Sequence, residues 1–243
     1  MAMLRGETAL NHPYPRAEVV MRYLIVNGDD FGASPAINRG IMEAHLHGIL
    51  TSTSLLVKTE WAEEAEALSN AAPDLSVGLH VDMRSELREP APDSQRLRES
   101  LQWQFCRFEE LMGRPPTHLD SHHNDHRDPR ALPYLLELAR KHGLPLREHS
   151  PVQYFSKFYG QWAGQTHFEQ ISAEKLTMMI KMEIGDGVTE LSCHPGYVDA
   201  NHPTSYSIER EAELRTLCDP RIRRVLVEQA IRLISYHDFA KLW

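Results

Sequence analysis

Short apolar runs recur along this chain, each closed by a polar loop and followed by a stretch whose apolar residues fall three or four apart. The first run, Tyr23-Leu24-Ile25-Val26, stops at Asn27-Gly28-Asp29-Asp30-Phe31-Gly32 and reads as a buried strand with two adjacent carboxylates at its C-terminal end. Ser34-Pro35 then offers an N-cap and a proline at the first helical position, Ile37, Ile41 and Ala44 keep helical spacing, and Gly48 supplies a stop. The same rhythm predicts strands over 49–57, 75–81, 117–121, 144–147, 188–193 and 231–236. Helices are expected over 61–71 and 97–111, around Leu132 to Ala139 and Leu176 to Glu183, and over 206–218 and 220–230. Residues 84–93 form a polar loop, and the aromatic-rich stretch 150–170 is read chiefly as packing.

About seven strands alternating with helices predict a single parallel β/α architecture. A length of 243 residues suits one barrel or one large α/β domain. Residues 1–21 carry charges and no continuous apolar core, so they are expected to be a loose N-terminal extension rather than a secretory signal, with one domain over 22–243. A net charge of -8 without a Lys/Arg-rich tract disfavours nucleic acid as a partner, and no stretch reaches the ~20 apolar residues that membrane insertion requires. Cys106, Cys193 and Cys218 are widely spaced and unpaired in pattern, which fits a reducing cytoplasm. Nothing in the pattern decides oligomeric state, and a homodimer stays open.

Two adjacent aspartates repel, and a cation or a shared proton would relieve them. Three more polar clusters fall at expected strand ends: His80 in Gly78-Leu79-His80-Val81-Asp82, the run from His118 to His126, and His194 in Ser192-Cys193-His194-Pro195-Gly196. A parallel barrel gathers such ends on one rim, and carboxylate plus imidazole ligands suit a catalytic Zn²⁺ or similar divalent ion. A lone histidine is more often a hydrogen-bonded polar residue than a ligand, but four histidines and two aspartates within nine residues point to metal or catalytic work without saying which imidazole binds. Cys193 and His194, as strand neighbours, point to opposite faces, so a cysteine-nucleophile site is set aside. No GxSxG, GxGxxG or P-loop accompanies them, which leaves hydrolysis by metal-activated water.

At these residues the sequence resembles the YdjC-like carbohydrate deacetylases. The matching pieces are Val26 to Gly32, Gly48 to Thr53, Val77 to His80, Pro116 to His123 and Cys193 to Gly196, followed by Tyr206 to Leu217 with Arg210, Glu211, Glu213 and Leu214. The resemblance implies a distorted, incomplete (β/α) barrel that binds one divalent cation, Mg²⁺ or Zn²⁺, and removes acetyl groups from N-acetylated amino sugars or glycoconjugates. Carried over by position, it implies Asp30, His80 and His122 as metal ligands, Asp29 as general base and His194 as acid. His123 and His126 are expected beside the metal or the substrate, and Arg147 against Asp29 or the sugar. The family often has a third consecutive histidine where Asn124 stands here, and the loop after His80 is short. Two rivals share these residues: a metal-dependent phosphoesterase, which would want a cationic clamp, and a non-catalytic sugar-binding protein.

Overall fold

The computed structural model describes residues 21–201 and 204–242; the expected extension, Met21 apart, lies outside them. In chain order the elements are β1 (Arg22–Phe31), α1 (Pro35–Leu46), β2 (Ser52–Leu55), α2 (Ala62–Asn70), β3 (Ser76–Val81), a one-turn α3 (Arg84–Leu87), α4 (Ser94–Met112) and β4 (Leu119–Ser121). After a 3₁₀ turn at His122–Arg127 come α5 (Leu132–His142), β5 (Gln153–Phe155) and a two-stranded hairpin of β6 (Gln161–Trp162) and β7 (Gln165–Thr166). A second 3₁₀ turn (Phe168–Ile171) leads to α6 (Ala173–Glu183), β8 (Gly187–Cys193), α7 (Ile208–Leu217), α8 (Pro220–Glu228), β9 (Ile231–Leu233) and α9 (Tyr236–Leu242).

Seven strands form one sheet in the order β4-β3-β2-β1-β8-β5, with β9 also on β1, and every pairing is parallel. One edge of β1 is shared: Arg22–Leu24 pair with β9, and Asn27 onward pairs with β2. Beyond β4 the ladder ends in a single bridge from Leu119 to Leu146. Among the described residues nothing joins that segment to β5, so the barrel is incomplete. No helix among them is long and apolar enough to cross a membrane.

Four expected segments differ, the first being the loop over 84–93, which opens with the one-turn α3. Residues 144–147 make only that bridge, because Pro145 has no N–H to give and Glu148 turns to φ 63. The strand β5 arises instead within the aromatic stretch. The last strand ends at Leu233, because Ser235 and Asp238 form a reciprocal capping box: the Ser235 N–H donates to Asp238 Oδ2 (3.0 Å) and the Asp238 N–H to Ser235 Oγ (3.3 Å), which starts α9. Elsewhere the caps follow the sequence. Ser34 Oγ accepts from the Ile37 N–H, and Gly113 and Gly143 close α4 and α5 in the left-handed conformation.

The strand period of two separates fold from chemistry. Leu24, Val26, Val77, Leu79, Leu119, Leu191 and Cys193 join the large apolar cluster between sheet and helices. The alternate residues turn inward. At the lower level Ile25, Val188 and Tyr236 form a small apolar cluster, and above it Asn27, Asp29, Ser54, His80, Asp120 and Glu190 are buried in mutual contact.

Candidate active site

Strand β1 delivers both aspartates to the mouth of the barrel. Regular alternation would send Asp30 to the outer face, but the β1/β2 register shifts between Gly28 and Phe31 and Asp30 adopts φ 72. Such a bulge re-aims one side chain at a left-handed residue, a conformation a folded scaffold holds at a cost of ~1–3 kcal/mol. Asp30 Oδ1 lies 2.9 Å from His122 Nδ1 and 3.3 Å from His80 Nε2, while Oδ2 accepts from Arg210 of α7 at 2.5 Å. Burial alone would raise this carboxyl; Arg210 and the two histidines outweigh it and hold Asp30 well below the usual carboxylate range.

His80, near the end of β3, is fixed from behind. Its Nδ1 meets Asp120 Oδ1 at 2.7 Å, and Ser54 Oγ donates to Asp120 Oδ2 at 2.8 Å. That contact turns Nε2 toward Asp30, the orientation that a carboxylate behind a ligating imidazole imposes. Against burial, Asp120 and Asp30 lift His80 well above its ordinary range. A Cβ at Gly78 would stand 2.4 Å from the ring of His118, which stacks on Tyr236 at 3.9 Å; this explains the glycine two residues before His80.

Asp29 is clamped by Arg147, whose Nη1 and Nη2 each donate at 2.7 Å. The fully buried guanidinium also reaches Asp120 (2.8 Å) and Glu190 (2.6 Å). On the other side of Asp29, His194 Nε2 stands 4.0 Å from Oδ2. His194 follows β8, whose loop lies directly on α1: a Cβ at Gly40 would be 2.4 Å from the Gly196 backbone, so only glycines permit this approach. The His194 N–H donates to Glu213, whose other oxygen accepts from Tyr206. His194 Nδ1 is buried with no hydrogen-bond partner among the described residues, 3.9 Å from Glu213 Oε1. Burial pulls His194 down to about 4 and pushes the wholly buried Glu213 up to about 8.

These groups open into a cavity of about 610 Å³, with walls that include His123, Asn124, Arg84, Arg127, Tyr154 and Tyr159. His123 and Asn124 reach it through positive φ values of 53 and 58 in the 3₁₀ turn. Asp125 instead accepts from the Met83 N–H (2.9 Å) and ties the turn to the short loop after β3. His126 points away from the cavity, its Nδ1 on Ser121 Oγ (2.7 Å) and its Nε2 on Glu148 (3.1 Å), with burial drawing it down to about 4. Cys193 is buried on the outer face, its thiol pushed up by burial.

Asp30, His80 and His122 each offer a ligand atom within 4.8 Å of one another. Asp29, His80 and Asp120 meet the same distance, but Asp29 and Asp120 are already bound to Arg147. Charge favours a divalent ion here. Buried Asp29, Asp30, Asp120 and Glu190 face two guanidiniums, Arg147 and Arg210, so with neutral imidazoles two negative charges remain to be met.

Reading by motif names Asp29, Asp30, His80, His122 and His194, and the structure brings all five to one mouth. It assigned nothing to Arg210, Glu213 or Glu190, and Asp120 entered only as one of the cluster from His118 to His126. Glu190 had a signal, since a carboxylate inside an otherwise buried parallel strand needs a partner. Arg210 and Glu213 are spaced three apart on α7 and resemble an ordinary solvated face in sequence.

Fold and site together define an incomplete parallel β/α barrel with a carboxylate and imidazole cluster on its C-terminal rim. A family model described as YdjC-like protein matches residues 23–228. The chain is 32% identical over 252 residues to a carbohydrate deacetylase from Geobacillus stearothermophilus, covering 91% of this chain and 99% of that one. It is 33% identical over 258 residues to a chitooligosaccharide deacetylase from Serratia marcescens, covering 89% and 99%. A solved structure of a candidate cellobiose-phosphate cleavage protein from Enterococcus faecalis V583 superposes with a TM-score of 0.76 at 26% identity, covering 90% of this chain and 99% of that one. A family 4 carbohydrate esterase from Streptomyces lividans in complex with acetate shares the fold, with a TM-score of 0.57 at 14% identity over 89% and 94% of the two chains. The chain belongs to the YdjC-like family.

Proposed function

We propose that the protein is a metal-dependent carbohydrate N-deacetylase that releases acetate from an N-acetylated amino sugar or glycoconjugate. The observation that carries the reading is the convergence of Asp30, His80 and His122 with Asp29 and His194, 4.0 Å apart, on the wall of one polar cavity. The names of the curated relatives support it. Asp30, His80 and His122 would hold one divalent cation, Mg²⁺ or Zn²⁺. Bound there, such an ion polarises the amide carbonyl and acidifies water.

Asp29, held by Arg147, takes the proton of the attacking water. Burial leaves His194 neutral near pH 7, so it enters the cycle with no extra proton. Asp29, 4.0 Å from its Nε2, is the group from which it receives one, and it passes that proton to the departing nitrogen as the C–N bond breaks. Acetate and a free amino sugar result. His123 and Asn124 contact the sugar, whereas His126 acts by holding the turn.

A phosphoesterase would need a cationic clamp on the phosphate. The arginines lining the cavity are each engaged by a carboxylate, Arg84 by Asp82, Arg127 by Glu148 and Arg210 by Asp30, which weighs against that rival. The test is acetate release from a panel of N-acetylated amino sugars and oligosaccharides by metal-stripped protein resupplied with Mg²⁺ or Zn²⁺. Asp29→Asn is expected to abolish turnover and to keep metal binding; loss of metal in that variant would refute the division of roles between Asp29 and Asp30.

A further inference from the structure

We propose that Glu190 and Tyr236, which lie beneath the cavity and do not line it, are positioning residues that fix the Arg147 fork and through it the carboxylate of Asp29. A planar guanidinium has two edges that can each meet a carboxylate. In Arg147 the Nη1/Nη2 edge holds Asp29, while Nε and Nη2 both donate to Glu190 Oε1, at 2.9 and 2.6 Å. Glu190 Oε2 in turn accepts from the Tyr236 hydroxyl at 2.7 Å. One rigid plane thus links a phenol below the site to the carboxylate in it.

Tyr236 is itself held at three points. Its N–H donates to Ser52 Oγ (3.2 Å), its ring stacks on His118, and it packs in the small apolar cluster with Ile25 and Val188. Tyr236, Glu190 and Arg147 are all at most 2% exposed, so water is kept from taking the place of any of these bonds. Neither Glu190 nor Tyr236 lines the cavity. Their effect on substrate must pass through Arg147.

The inference rests on the proposed role of Asp29, and the experiment separates the two. Tyr236→Phe removes one oxygen atom and leaves the ring in its stack; Glu190→Gln removes the charge and keeps the shape. Loss of a partner behind a working group costs about 10–100-fold in activity, so kcat is expected to fall ~10-fold in Tyr236→Phe and further in Glu190→Gln, with KM within about twofold of the parent. The Arg147 Nε–H resonance in ¹H–¹⁵N spectra, assigned by its loss in Arg147→Lys, should shift in Tyr236→Phe, a readout independent of turnover. A merely structural tyrosine would lower the Tm and leave kcat per folded molecule and the Arg147 resonance unchanged, and that result would overturn the inference. Full activity of Asp29→Asn would instead remove the reading of the site on which the inference depends.

Discussion

Glu213 is wholly buried, and two N–H or O–H groups already point at its oxygens, one from the His194 backbone and one from Tyr206. Arg210, one turn earlier, is committed to Asp30. These two donors and the charge of Arg210 favour the ionised carboxylate, but burial outweighs them and moves this carboxyl from its ordinary 4.5 to about 8, which makes it ~5 kcal/mol harder to ionise in the folded protein than in the unfolded chain. Between those values the native state keeps a proton that the unfolded state releases. Stability must fall as pH rises through this window and level off above it, by an amount approaching that figure. Glu213→Gln abolishes the dependence and gives up ~1 kcal/mol for each hydrogen bond the amide fails to replace. The variant should accordingly be the less stable protein near about pH 5 and the more stable one, by a few kcal/mol, near about pH 9. Urea unfolding of metal-free parent and variant across this range measures the difference. The groups facing Glu213, namely His194, Tyr206, Arg210 and Asp29, are present in both proteins. A stability difference that does not change with pH would refute the reasoning, because it would mean that Glu213 titrates as an ordinary surface carboxylate.

Two further outcomes follow from geometry. In the metal-free protein His80 is held well above its usual range by Asp120 and Asp30, so a cation must displace its proton: affinity should rise with pH above about 6.5 and binding should release protons, measured by calorimetry in buffers of different ionisation enthalpy. Gly40→Ala gains up to ~1 kcal/mol of helix propensity but sets a methyl group 2.4 Å from the Gly196 backbone, where overpacking costs ~1–3 kcal/mol. A lower Tm and a lower kcat are expected, since the displaced loop carries His194; a more stable variant of unchanged kcat would contradict the packing argument.

The family motifs were legible because they sit at strand ends, where a run of apolar residues meets a run of polar ones. Asp29 and Asp30 could be assigned to the rim from Tyr23 to Gly32 alone. That both face the cavity could not, since this depends on the left-handed turn of Asp30, and nothing in an Asp-Asp pair announces a bulge. His126 shows the converse. Proximity in sequence to His122 suggested a shared task, but the turn carries it round to Ser121 and Glu148. The supporting charges were hidden for a third reason. Arg147 lies where only a bridge forms, Glu190 in mid-strand and Arg210 on a helix, and only tertiary contact makes them one network. The capping box at Ser235 and Asp238, by contrast, is a purely local pattern that was open to reading as a helix start.

Alternation of inward charge and outward hydrocarbon also governs which strand pairings the chain can accept. Were β8 to slide by one residue against β1, Glu190 and Ser192 would enter the apolar layer under the helices, and Leu191 and Cys193 would face Arg147. A carboxylate without its partner and a guanidinium without its carboxylates are each costly in such surroundings, by several kcal/mol. A slipped ladder would keep most of its backbone hydrogen bonds, so the side chains decide the register. The interior charges therefore disfavour that slip: the native register is the one in which Arg147 keeps Asp29, Asp120 and Glu190 as its counterparts.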